Sequence, residues 1–239
     1  MLLGGITMEE KVVLSELNNI FHARRFAYDI LRRFFVEEPS KEYLKPFIQK
    51  NMIDLFPFRE DSEEIQEGVN KLKSYLSTHD VLTIEHHYDD LHWDYTRLFI
   101  GPFKLTTPPW ESSYVRKDRL LFQGTTMNVR GYYDKYGIIV RDFNIEADDH
   151  IGLELDFIYH LNERCIKMAE QNESRGLRQL LRDQQRFIDD HLLKFVPEFS
   201  RLVMKEANTS FYSGLAQLLQ HYLLIDSEVL QELMTIDNL

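Results

Sequence analysis

The sequence has little cysteine and no long hydrophobic run, and both shortages narrow the class of protein. Cys165 is the single cysteine among 239 residues, so the chain cannot form an intramolecular disulfide, and we expect it in a reducing compartment. No apolar stretch approaches the ~18 residues that a membrane-spanning helix needs, so we expect no stable membrane insertion. Residues 1–8 are apolar but lack a basic leader, so we expect no secretion signal; a translation start at Met8 is an alternative to Met1.

Basic side chains are in the minority. The 28 Lys and Arg residues stand against 39 Asp and Glu residues, which gives a net charge of −11. This charge opposes binding to nucleic acid phosphates or to anionic lipid, so we expect no nucleic acid partner. A basic or neutral partner matches the charge better.

The common catalytic and phosphate-binding motifs are also missing. The sequence has neither a Gly-x-x-x-x-Gly-Lys-Ser/Thr loop nor a Gly-x-Gly-x-x-Gly turn, and no serine lies in a nucleophile elbow. The histidine-rich stretch 85–92 lacks the Glu-x-x-His spacing of a helical di-iron site, so we expect no metal. His150 and Glu154, at helical spacing, could act as an acid–base pair, but a structural hydrogen-bonded pair is an equal alternative. These absences argue against covalent catalysis, and we expect no cofactor.

Hydrophobic periodicity predicts helices over most of the chain. Apolar side chains recur every three or four residues in 17–35, 84–98 and 151–168, and only 138–140 has the character of a strand. The arginines at 24–25 lie within the first of these helices, where we expect them to be solvated. The predicted class is all-α, a globular bundle of roughly ten helices.

The chain is long enough to bury a core of its own. It has no internal repeat and no low-complexity tract. We expect one all-helical domain over 1–239. Two sub-domains, 1–137 and 143–239, with a hinge between them, are the alternative.

The densest group of polar side chains lies at the start of a predicted helix. Glu146, Asp148, Asp149 and His150 crowd together there, and Glu154 follows one turn after His150, near the inward face. Carboxylates in a first turn interact favourably with the helix dipole, so an acidic cap is one interpretation. A binding site is the other, because charged groups are seldom directed toward a core unless they are paired.

Three sequence blocks occur in a fixed order. They are Tyr95-x-x-Leu98-Phe99-Ile100-Gly101-Pro102, then Pro108-Pro109-Trp110-Glu111-Ser112-Ser113-Tyr114, then Glu146-Ala147-Asp148-Asp149-His150-Ile151-Gly152-Leu153-Glu154-Leu155. In order and spacing, these blocks resemble the TorD/DmsD family of cytoplasmic chaperones for molybdenum enzymes. The later His191-Leu192-x-x-Phe195-x-Pro197-x-Phe199 also resembles a signature of that family.

The resemblance implies a non-enzymatic, all-helical chaperone that acts on the precursor of a molybdenum-containing oxidoreductase. Such a chaperone binds the twin-arginine signal peptide of the precursor, and also its folded part, in the cytoplasm until the cofactor is inserted. The family's peptide-lining residues correspond here to Tyr95, Leu98, Phe99, Asp149 and His150. Weak contact with a guanine nucleotide or with the molybdenum cofactor is a further implication of the resemblance.

The chemistry of the residues agrees with that role. A twin-arginine signal presents two guanidinium groups before a weakly apolar segment, so its receptor needs carboxylates beside a hydrophobic groove. We expect the acidic helix start and the end of the Tyr95 helix to form two walls of one exposed cleft. The expected peptide-binding residues are Tyr95, Leu98, Phe99, Trp110, Glu146, Asp148, Asp149, His150 and Glu154.

The chain departs from the family pattern at a few positions. It has Ala147 where the family often has Pro, Glu111 where the family often has Gly, and Phe195 where Trp is common. Glu111 adds a charge beside Trp110, which leaves open a different ligand. The alternative function is a nucleotide-dependent switch or hydrolase that uses Asp149 and His150.

Overall fold

The computed structural model describes residues 8–101, 105–115, 124–140, 147–171 and 173–236, and within these ranges the chain is helical with one isolated β-bridge. The all-α prediction is confirmed, and residues 138–140 form no strand. None of the described helices is both long enough and apolar enough to cross a membrane. The α-helices are α1 Met8–Val36, α2 Lys41–Gln49, α3 Glu63–Thr78, α4 Glu85–Tyr95, α5 Ser112–Val115, α6 Gly124–Lys135, α7 Ile151–Glu170, α8 Leu177–Phe187, α9 Leu193–Glu206 and α10 Ser210–Met234.

Three short turns of other helical types complete the described elements. Met52–Leu55 is a 3₁₀ turn after α2. Thr96–Ile100 is a π-helical turn that continues α4, and Ile188–Leu192 is a π-helical turn between α8 and α9. Such π-helical turns are rare and occur often at functional sites. The first lies within the Tyr95 block, and the last two residues of the second, His191 and Leu192, begin the later block that resembles the chaperone family.

Side-chain caps explain where several helices begin. Ser40, Ser62 and Thr209 each precede a helix, and each accepts a hydrogen bond from a backbone N–H three residues later. An N-cap of this kind satisfies a donor that the first turn leaves unpaired, and it stabilises a helix by about 1 kcal/mol. The sequence therefore specifies these helix starts locally.

Two pairs of helices build the core. α1 lies along α7, and α3 lies along α10. Gly152 allows the first close approach, because a Cβ added there would lie 2.5 Å from the Cα of Val36. In each pair one helix comes from 1–137 and the other from 143–239, so both parts of the suggested division share one core. The single-domain organisation stays a prediction, which this packing favours.

A buried ion pair crosses the core, and it corrects one expectation. Arg24 is 1 % exposed, and its Nε and Nη2 donate to the two carboxylate oxygens of Asp226 at 2.6 and 3.0 Å. The remaining nitrogen, Nη1, donates to Asn162 and Gln184. The prediction that Arg24 is solvated is wrong, because its position on the inward face of α1 places it opposite a carboxylate that α10 supplies. Arg25, the next residue, lies on the outer side.

Candidate functional site

His150 begins α7 as a neutral cap. Its Nδ1 accepts a hydrogen bond from the backbone N–H of Gly152 at 3.1 Å, so Nε2 carries the ring proton. Burial lowers the pKa of His150 to about 4, so the imidazole is uncharged at neutral pH. His150 therefore acts here as a helix cap, and its side chain forms no acid–base pair with Glu154, whose carboxylate oxygens accept no hydrogen bond from the described residues.

The residues before α5 pair with the residues before α7. The backbone N–H of Ile151 donates to the carbonyl of Pro109 at 2.8 Å, and that of Glu111 donates to the carbonyl of Asp149 at 2.9 Å. Trp110 and His150 form the isolated antiparallel bridge between these bonds. The second and third sequence blocks thus meet directly, although about forty residues separate them along the chain.

Asp149 joins three elements with one carboxylate. Its Oδ2 accepts a hydrogen bond from the backbone N–H of Ser112 at 2.8 Å, and its Oδ1 accepts one from the hydroxyl of Thr126 at 2.9 Å. The side chain is fully buried. Since Ser112 starts α5 and Thr126 lies in α6, Asp149 holds both helices against the start of α7.

Asp148 binds a guanidinium of the chain itself. Its Oδ2 lies 2.5 Å from Nε of Arg130, and its carbonyl oxygen accepts a hydrogen bond from the hydroxyl of Tyr133 at 2.9 Å. Burial raises the pKa of the Asp148 carboxyl, while the Arg130 guanidinium acts in the opposite direction. The acidic helix start is therefore a place where an arginine side chain already binds a carboxylate.

Glu111 does not point to solvent beside Trp110. Its Oε2 lies 2.9 Å from Nδ1 of His191, in the second π-helical turn, and both side chains are buried. Burial raises the pKa of Glu111, and the contact with His191 opposes that rise. Sequence reasoning missed this pair, because no local pattern connects residues 80 positions apart. The one signal in the sequence was the departure of Glu111 from the family pattern.

Glu154 is an interior carboxyl whose side chain has no hydrogen bond to the described residues. It is fully buried, and neither of its carboxylate oxygens has a hydrogen-bond partner among the residues that the structure describes. Burial raises the pKa of Glu154 well above its ordinary value, and the charges of Glu111 and Asp149 act in the same direction.

The aromatic block at the end of α4 is also buried. Tyr95, Leu98 and Phe99 all lie in the core, and the Phe99 ring lies 5.8 Å from the ring of Phe35. The hydroxyl of Thr107 donates to the carbonyl of Leu98 at 2.5 Å, which ties the following segment to the π-helical turn.

The two expected walls lie at the same end of the molecule. Phe35 and Val36 end α1; the first packs on Phe99 and the second lies against Gly152 at the start of α7. The segment 107–114, which we call the bridging segment, bonds to Leu98 at one end and to residues 149–151 further on. The sequence blocks are therefore brought together as predicted.

The expectation of an exposed cleft between them is wrong for the described side chains. Asp148, Asp149, His150, Glu154 and the aromatic block are all buried. The bridging segment is bonded to both walls, α6 covers Asp148, and α1 and α9 pack on the Phe99 ring. Trp110 alone among the described members of the set is partly exposed; its ring contacts His150 edge to face, with centroids 6.1 Å apart. Glu146 lies outside the described residues. The assignment of these residues to peptide binding stays a prediction.

A second concave surface lies on the outer side of α4. It is a groove of about 550 Å³ between α4 and the start of α10, and Trp93, 63 % exposed, stands at its side. Asp94 lies at its base, where the carboxylate accepts hydrogen bonds from the backbone N–H and the hydroxyl of Thr209, both at 2.8 Å. The sequence blocks did not point to this groove.

Comparison with known proteins gives a consistent match. The family model described as nitrate reductase delta subunit matches residues 59–201, more than half of the chain. The chain is 28% identical over 219 residues to "Chaperone protein TorD" of Aliivibrio salmonicida (strain LFI1238), which covers 91% of this chain and 99% of that protein. It is 32% identical over 124 residues to "Probable Tat proofreading chaperone DmsD" of Haemophilus influenzae, which covers 52% of this chain and 54% of that protein.

The chain belongs to the TorD/DmsD family of chaperones. This confirms the resemblance drawn from the three sequence blocks and the class of function that it implied. The alternative, a nucleotide-dependent switch or hydrolase, has no support from the family or from the relatives. Among the described residues, no group of three or more His, Cys, Asp or Glu side chains is arranged to hold a metal ion.

Proposed function

We propose that this member of the TorD/DmsD family is a cytoplasmic chaperone that binds the twin-arginine signal peptide of a molybdenum-containing oxidoreductase precursor. It also holds the folded part of that precursor until the cofactor is inserted. The observation that carries the proposal is the family membership over nearly the full length of relatives that are named as chaperones. One relative is named as a probable Tat proofreading chaperone, which supports a precursor of the twin-arginine pathway as the client.

The contacts at the start of α7 support binding of an arginine side chain. Asp148 already holds the Arg130 guanidinium at 2.5 Å, so the chemistry of a guanidinium on a carboxylate is present within the fold. Charge-assisted pairs of this type are about twice as strong as neutral hydrogen bonds. The net charge of −11 favours the approach of a basic peptide.

The buried aromatic block supports a site that opens when the peptide binds. Movement of the bridging segment breaks the bond from Thr107 to the carbonyl of Leu98 and opens that end of the block, while the Phe99 ring also packs on Phe35 and Phe199. Only residues 112–114 of the segment belong to a helix, α5, so its movement breaks few helical hydrogen bonds. Trp110 is the partly exposed member of the set, and the peptide therefore meets it first.

The test is a titration of the purified chain with a twin-arginine signal peptide, followed by isothermal calorimetry. The peptide in which both arginines are replaced by lysine is the control, because lysine cannot form the bidentate pair. We expect saturable binding that is weaker for the lysine peptide. No saturable binding of either peptide by a chain that circular dichroism shows to be folded would overturn the proposal.

A pair of tryptophan variants tests the location of the site. Trp110→Ala should weaken binding by about 30-fold, as expected when a central aromatic contact is removed. Trp93→Ala, on the outer side of α4, is the matched control and should leave the affinity unchanged. Equal affinities of the two variants would move the site away from the bridging segment and leave the chaperone function in place.

A further inference from the structure

Glu154 occupies a position that the packing of the fold does not explain. It lies one turn into α7, fully buried, and neither carboxylate oxygen has a hydrogen-bond partner in the described part of the chain. Asp149, in the same cluster, contrasts with it, since its carboxylate accepts hydrogen bonds from Ser112 and Thr126. A buried polar group without a partner is costly, so such a group in a native fold calls for a ligand or a proton.

Within the part of the chain that the structure describes, the charged groups that act on Glu154 are both acidic. Glu111 of the bridging segment and Asp149 before α7 are both acidic, and Tyr133 of α6 is a phenol. Both imidazoles of the cluster are already engaged: that of His191 is paired with Glu111 at 2.9 Å, and that of His150 accepts a hydrogen bond from the N–H of Gly152 at 3.1 Å. Because a buried carboxylate without a cation is strongly disfavoured, Glu154 carries a proton in this closed structure.

We propose that Glu154 is the interior cation-binding residue of this chaperone, which holds a proton in the closed chain and an arginine guanidinium of the client once the bridging segment opens. The inference rests on the proposed function and adds a specific acceptor to it. The O–H bond of the Glu154 carboxyl breaks, its proton goes to solvent, and the resulting carboxylate binds the guanidinium, which keeps its own protons. Both oxygens lack a competing donor among the described residues, so they can accept two parallel N–H bonds.

The inference has a measurable consequence, because the closed chain and the complex bind different numbers of protons. Binding of the signal peptide should release about one proton per complex, and the affinity should rise by up to about tenfold per pH unit while Glu154 is protonated in the free chain. A peptide that binds only on the surface would release no proton from the interior. The released proton therefore distinguishes insertion into the cluster from docking outside it.

The experiment is calorimetric titration of the full chain with the twin-arginine peptide in two buffers of equal pH and different ionisation enthalpy. The difference between the observed binding enthalpies yields the number of protons released. Glu154→Gln copies the protonated side chain in shape and polarity, so it should fold, and circular dichroism checks this. Glu170→Gln, exposed at the other end of α7, is the matched control.

We expect proton release in the original chain and in Glu170→Gln, and none in Glu154→Gln, whose affinity should fall by about 10–100-fold. Saturable binding without proton release in the original chain would overturn the inference and leave the proposed function standing. Proton release that persists in Glu154→Gln would show that another group supplies the proton and would also overturn it. Absence of saturable binding by the folded chain would instead overturn the proposed function, and this inference with it.

Discussion

The contact between α1 and α7 supplies the sharpest prediction about the fold that supports the site. Gly152 lies in the first turn of α7, and a Cβ added there would lie 2.5 Å from the Cα of Val36 and 2.7 Å from its N and Cβ. Ordinary contacts of a Cβ begin at about 3.4 Å, so α1 and α7 would have to separate by about 1 Å. The atoms in the way belong to the backbone and to Cβ, which cannot turn aside as a long side chain can.

We expect Gly152→Ala to lower the free energy of unfolding by about 1–2 kcal/mol. Overpacking of a core contact typically costs about 1–3 kcal/mol, and the gain from replacing glycine by alanine in a helix offsets about 0.5–1 kcal/mol of it. For a chain of this length the midpoint of thermal unfolding should fall by about 2–8 °C. Because the same turn positions Glu154, the affinity for the signal peptide should fall as well.

Gly131→Ala is the matched control. Gly131 lies in α6, where an added Cβ has no atom within 4 Å, so the substitution should raise stability by about 0.5–1 kcal/mol. Urea unfolding of the original chain and the two variants, followed by far-ultraviolet circular dichroism, measures both changes. If Gly152→Ala is as stable as Gly131→Ala, the close contact of α1 with α7 does not exist as described.

Three further predictions concern buried ionisable side chains. Arg24→Met should lower the free energy of unfolding in urea by about 3–5 kcal/mol, because Asp226 keeps a buried charge without its partner. Arg25→Met, on the outer side of α1, is the control and should change this free energy by less than about 0.5 kcal/mol; equal effects would contradict the buried pair. Asp149→Ala should lower the free energy of thermal unfolding by about 2–4 kcal/mol, since it leaves the buried N–H of Ser112 and the hydroxyl of Thr126 without an acceptor. A loss below about 1 kcal/mol would refute the role of Asp149 in holding α5 and α6. His150→Asn keeps a cap but removes the imidazole. Because the pKa of His150 is about 4 in the fold against an ordinary value of 6.5, the unfolded chain binds more protons between these pH values, and the free energy of unfolding of the original chain should fall by about 3 kcal/mol relative to the variant as the pH falls through that window. Parallel curves of stability against pH would argue against a buried neutral imidazole.

The helical class of the fold could be predicted because its signals are local. Helical periodicity of apolar residues depends only on neighbours three and four positions away, and caps such as Ser62 act within one turn. The order of the three blocks likewise identified the family, since short motifs and their spacing are properties of the chain itself.

The environment of the site residues could not be predicted in the same way. His150 was expected among charged groups on an open wall, and the structure buries it as a neutral cap. The error has a physical cause: the bridging segment pairs with the start of α7 through backbone hydrogen bonds, and any sequence with suitable geometry can form such bonds.

The amino-acid sequence by itself determined the helical class and the membership of the TorD/DmsD family, whereas the cap of α7, His150, was not foreseen. Only the tertiary structure decided which charges are paired: Arg24 with Asp226, 202 positions apart, and Glu111 with His191, 80 positions apart, while Glu154 keeps no partner among the described residues. The reason is that the energy of a charge depends on its distance from water and from the opposite charge, and both are fixed when distant helices pack, not by the residues next to it in the chain.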